Sequence, residues 1–213
     1  MKKIALLTTA LTLTVFGQTA FGFGLPEMPA IPGAGATKSV ETGPLVAQLN
    51  QVLLNLSTSQ EHIFLALGKP DAANKAKSLS EELTKGTVTS DMLVQNEAGL
   101  NAAADEMAKS DKLTDEGKKE MVLALPPYGK AILGSAGLAA QLTAAAQSIT
   151  ANPMSVVGGS LSAPELITIF TKAPVLLGSI AGQGYKLATY AGKFGIQDPS
   201  VPKGSGKDTG KGE

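Results

Sequence analysis

From Leu45 the chain falls into a three-four rhythm, with Leu45, Leu49, Val52, Leu56, Ile63 and Leu67 recurring so that they share one stripe of an amphipathic helix. Gly68-Lys69-Pro70-Asp71 closes this helix and opens the next. Glycine is the usual residue just past a helix end, and proline is tolerated only in a first turn. The second helix, predicted over Asp71 to Lys85, sets Ala72, Ala76, Leu79 and Leu83 on one side and ends at Gly86. A third begins after Thr89 or Ser90 and carries Leu93, Leu100 and Met107 at heptad spacing. Thr114 caps a fourth, whose first turn holds Asp115 and Glu116 at the positive end of the helix dipole, and Pro126-Pro127 is expected to stop it.

The pattern then changes character. Pro126 to Ile196 carries only Lys130, Glu165, Lys172, Lys186 and Lys193 as charges, so its helices need a cover: the more polar helices of Leu45 to Leu125, a partner chain or a lipid surface. A fifth helix is predicted over Tyr128 to Ala151, with Leu138, Leu142, Ala145 and Ile149 on one side and small residues elsewhere. Asn152-Pro153 ends it, and Gly158-Gly159 loosens the connector that follows. Ser162-Ala163-Pro164-Glu165 is a capping box that starts a further helix, and Pro174 is expected to kink or break that helix. Beyond the proline, Ala173, Leu177, Ile180, Gly184, Leu187, Ala191 and Phe194 keep an unbroken alternation that reads as a packing seam ending at Gly195. No strand pattern of weight is found, and Val156-Val157 is too short to count.

The pattern therefore predicts an all-α fold, a single helical bundle of about five to seven helices over residues 45–196. The low-charge helices are expected to lie innermost. The predicted core is Leu49, Val52, Leu56, Phe64, Leu100, Leu138, Leu142, Ile149, Phe170, Leu177, Ile180, Leu187 and Phe194. Charge divides the same way: Leu45 to Leu125 holds twelve acids against eight lysines, and Pro126 to Ile196 holds four lysines against one glutamate. A polar, acidic layer over an apolar, slightly basic one accounts for that division, although salt screens long-range charge heavily.

Residues 1–22 have the form of a cleaved signal peptide: Met1-Lys2-Lys3, an uncharged run from Ile4 to Phe16, then small residues at Ala20 and Gly22 that favour cleavage after Gly22. Cleavage after Ala20 is weakened by the bulkier Gln18, and the apolar run is short for the roughly 20 residues of a spanning anchor. Export to the periplasm or beyond is the expectation. Residues 23–44 form a Pro/Gly-rich leader in which Leu25, Met28 and Ile31 recur every third position, and residues 197–213 a solvated Gly/Lys tail.

Composition narrows the chemistry. The chain has no cysteine, which removes disulfides, thiolate catalysis, a lipoprotein anchor and zinc-thiolate sites. All eighteen positive charges are lysine and the formal net charge is zero, so no basic face for nucleic acid is expected. His62 is the sole histidine and lies in a helix beside Glu61, without the second histidine that a metal pair or a di-iron site needs. Gly134-Ser135, Gly159-Ser160 and Gly178-Ser179 lack the frame of a nucleophile elbow. The adjacent carboxylates Glu81-Glu82, Asp105-Glu106 and Asp115-Glu116 diverge around their helices.

No catalytic, metal or cofactor residues are assigned, and the expected role is binding, scaffolding or structure in the cell envelope, with a protein or apolar ligand as partner and an oligomer allowed. The first alternative uses Leu177, Ile180, Gly184, Leu187 and Phe194 as an apolar surface that opens to engage a membrane, with hinges at Gly158, Gly159 and Pro174. At roughly 25 cal/mol per Å², a few hundred Å² of uncovered surface would drive such association. The Gly178-x-x-x-Gly182 step fits a membrane dimer face, but the same spacing lets helices of a soluble bundle approach closely. The second alternative is a hydrolase using serine and lysine without histidine.

Overall fold

The computed structural model describes residues 39–157 and 160–196. The signal peptide, the leader as far as residue 38, the tail and the Gly158-Gly159 connector lie outside the described residues. Within them the fold is an all-α bundle of six helices: α1 (Thr42–Ala66), α2 (Pro70–Leu83), α3 (Ser90–Lys109), α4 (Asp115–Ser135), α5 (Leu138–Ala151) and α6 (Ala163–Lys193). The one pairing of strands among them is two residues long, β1 (Val40–Glu41) running parallel to β2 (Val156–Val157). That short ladder ties the start of α1 to the connector before α6, and two isolated valines were too little pattern to predict it.

Local signals fix most boundaries. Gly68, Gly86 and Gly195 all adopt the left-handed conformation just past helical segments. Thr89 Oγ1 accepts from Met92 N–H at 3.3 Å, and Thr114 Oγ1 from Gly117 N–H at 3.0 Å. α1 starts at Thr42 rather than Leu45, with Pro44 as its third residue. The first four amides of a helix have no intrahelical acceptor, so a proline there forfeits nothing.

The expected end of α4 and start of α5 need correction, and Pro174 raises the same competition between a proline and the packing around it. Pro126-Pro127 does not stop α4, which runs through both prolines to Ser135. An internal proline costs about 3 kcal/mol, but burying a large apolar side chain returns about 1.5–3 kcal/mol, and Met121, Leu125 and Tyr128 are all buried around the pair. Ser59 on α1 ties the two helices together just before the pair by donating its hydroxyl to Ala124 O at 2.8 Å. The break between α4 and α5 comes later, at Gly137, whose φ of 77° only glycine adopts without strain. Pro174 likewise leaves α6 unbroken over 31 residues. Ile169, Phe170, Leu176 and Leu177 are buried on either side of it, and Phe170, whose carbonyl loses its donor, is among the residues lining an open cleft of about 520 Å³ with Thr143, Gln147, Thr150 and Thr171.

The layering also differs from expectation. α1, rather than the low-charge half, is the central helix, touching α2, α3, α4 and α5. α6 packs against α3, α4 and α5. Leu49, Leu53, Leu56 and Ile63 of α1 are as buried as Leu138, Leu142, Ile149, Leu166 and Phe170 of the low-charge half. Every predicted core residue is buried except Phe194, which is half-buried and stacks edge-on to Tyr190. Among the described residues no ion pair joins residues 45–125 to 126–196, so apolar burial rather than charge holds the halves together.

Candidate interaction surface on the last helix

α6 begins at a tight cap. Ser162 donates its backbone N–H at 2.9 Å and its hydroxyl at 2.6 Å to Glu165 Oε2, which holds the Glu165 carboxyl below its usual range. From there the helix presents two contrasting faces.

The inward face is the predicted seam. Ala173, Leu177, Ile180, Gly184, Leu187 and Ala191 are all buried, so five positions assigned to an apolar binding surface divide into four interior ones and the half-buried Phe194. Gly184 is the tightest point: a Cβ there would stand 2.7 Å from Ile132 Cδ1 and 2.9 Å from Tyr128 Cε1. Tyr128 reaches past it and donates its hydroxyl to Ile180 O at 2.8 Å. Burial pushes the Tyr128 phenol far above its ordinary range, so it stays a neutral donor at any physiological pH.

The outward face is different. Gly178 and Gly182 are exposed, and a Cβ at either would meet nothing within 4 Å. Around them stand Ala181 and the exposed Val175 and Tyr185, 62% and 77% accessible. No charge interrupts this face between Lys172 and Lys186, a length of about 20 Å at 1.5 Å per residue. The sequence had offered the glycine step to the bundle interior, but the helical phase excludes that: Gly182 is two residues from both Ile180 and Gly184, hence about 200° round from the seam. α6 is also the one described helix long and apolar enough to cross a membrane, with mean hydropathy 1.3 and 39% of its most apolar window buried.

The other candidate groups are dispersed. Ser135 and Ser179 donate their hydroxyls to carbonyls of their own helices, Ile132 O and Val175 O, at 2.7 and 3.1 Å, and Ser160 is exposed. Glu81, Glu82, Asp115 and Glu116 face solvent. Glu106 is held below the usual carboxylate range by its hydrogen bond from Lys69, with Lys109 adding to the effect. The sequence placed His62 beside Glu61, but its partner is Glu120 of α4, with Nδ1 and Oε2 2.8 Å apart. That contact spans 58 residues and has no local signal. Among the described residues no group of three metal-binding side chains gathers. Comparison with protein-family models, curated proteins and solved structures finds no match, so the reading of this surface rests on its own geometry.

Proposed function

We propose that this protein is an exported, non-enzymatic part of the cell envelope that works by binding, and that the outward face of α6 docks an apolar helix of a protein partner. The observation that carries the reading is the uncovered Gly178-Gly182 step. At Gly134 and Gly184 the same molecule uses missing Cβ atoms to seat Val52, Ile132 and Tyr128 of neighbouring helices, whereas the seats at Gly178 and Gly182 stand empty. Val175 and Tyr185 supply apolar contact at either end, with a phenol able to hydrogen-bond at the rim. Lys172, Lys186 and Lys193 flank the face without an acid among them, which suits a partner helix with acidic ends and disfavours a second copy of α6. Export rests on the pattern of residues 1–22.

Affinity capture from the native envelope tests this, with the wild type compared against Gly178→Ile/Gly182→Ile. Both positions are exposed, so the double variant keeps the fold and is expected to lose the captured partner. Equal capture by both proteins would contradict the proposal.

Membrane association is the second reading, favoured by the length and hydropathy of α6. Its cost is large. Uncovering Leu176, Leu177, Ile180 and Leu187 at about 1.5–3 kcal/mol each amounts to about 6–12 kcal/mol, comparable to the whole stability of a domain. The mature protein is therefore expected to stay at the bottom of a flotation gradient with neutral and with anionic liposomes, and flotation abolished by Leu187→Lys would establish opening instead.

A further inference from the structure

α2 and α3 both pack on α1, and a cleft of about 350 Å³ lies between them. Phe64 forms an apolar floor, Ala76 and Leu79 one wall, and Gly99 and Ala102 the other. The floor also holds Gln60, a neutral amide that is only 2% exposed.

This amide is held in one orientation. Gln60 Nε2 donates to Asn96 O at 2.9 Å, and Asn96 is itself fully buried. Asn96 is fixed by donating Nδ2 to Met92 O at 3.1 Å and accepting from Ser57 Oγ at 3.1 Å. A carbonyl only accepts, so the nitrogen of Gln60 must face Asn96 O and its Oε1 must face the other way. There it lies against Gly99 on the cleft wall, so close that a Cβ at residue 99 would collide with it. Among the described residues no donor reaches Oε1. Oε1 is not sealed off by protein atoms: it is reached through the cleft that Gln60 lines, and a network of buried polar groups holds it there with its acceptor capacity unused by the protein.

We infer that the cleft binds a small neutral apolar molecule bearing one hydroxyl donor, an alcohol or phenol, whose O–H meets Gln60 Oε1 while its hydrocarbon lies on Phe64, Leu79 and Ala102. The size fits, since about 150 Å³ holds one benzene ring and the cleft is roughly twice that. A carboxylate is a poor occupant because it would set oxygen against oxygen, and Lys75, the cation of the lining, is exposed at the rim. The site shares no residue with the outward face of α6 and stands or fails separately from it.

Titration of the full chain with 2-naphthol and with 2-methoxynaphthalene, followed by amide chemical shifts, tests the inference. 2-Naphthol is expected to shift Gly99, Leu79 and the Gln60 side-chain amide, and the methyl ether, which lacks the donor, to bind roughly two- to tenfold more weakly. Ala102→Phe, at an exposed helical position, is expected to abolish the shifts with the fold intact by circular dichroism. Gln60→Met is expected to equalise the two compounds, and if that variant does not fold, the ether comparison and Ala102→Phe decide alone. Equal affinity of the wild type for both compounds, naphthol binding that survives Ala102→Phe, or no shifts up to the solubility limit would each overturn it.

Discussion

Gly184 and Tyr128 illustrate how much of this fold depends on single atoms. Alanine normally stabilises a helix relative to glycine by up to about 1 kcal/mol, yet at residue 184 its methyl group would enter space held by Ile132 and Tyr128. Overpacking costs about 1–3 kcal/mol, so Gly184→Ala is expected to lower the urea midpoint despite the better propensity. Tyr128→Phe removes the hydroxyl that binds Ile180 O, but it strands no buried donor, so a smaller loss of about 0.5–1.5 kcal/mol is expected. A Gly184→Ala variant as stable as the wild type would show that α6 is not pressed against α4 here. The sequence marked Gly184 as part of a seam but not as a contact with Tyr128, because a separation of 56 residues leaves no periodic trace.

At the scale of elements, helix starts were legible where a side chain caps its own turn, as at Thr89, Thr114 and Ser162, and ends were legible at the left-handed Gly68, Gly86 and Gly195 but not at Gly137, which sits inside a run read as one helix. Helix continuity was not. Pro126, Pro127 and Pro174 look decisive locally, yet each is overridden by apolar side chains packed on both sides of it, and that packing is visible only in three dimensions. Ser59 and its bond to Ala124 O belong to the same class. The cap of α6 makes a further prediction. Because the Ser162 hydroxyl and amide lower the folded-state pKa of Glu165, the stability this cap contributes is present at neutral pH and is lost as pH falls through the folded value. Glu165→Gln is expected to lose less stability than the wild type between neutral pH and about pH 3, measured by denaturant midpoint. Equal losses would mean that the cap does not couple to folding.

For the whole molecule, α1 and α6 play complementary parts. α1 is surrounded by other helices, while α6 gives one face to the bundle and leaves the other uncharged between Lys172 and Lys186 and open at Gly178 and Gly182. The seam was readable in the sequence, and so was the glycine step; their relative phase carried the difference between interior and surface. The central claim is that a partner helix docks on that free face while the seam stays closed. Its most direct test is a photo-cross-linking amino acid placed at Gly182 in the native envelope, with the same group at the exposed Lys77 of α2 as control. A discrete protein adduct at Gly182, absent at Lys77, is the predicted result. Adducts to lipid alone at Gly182, or the same products from both positions, would contradict it.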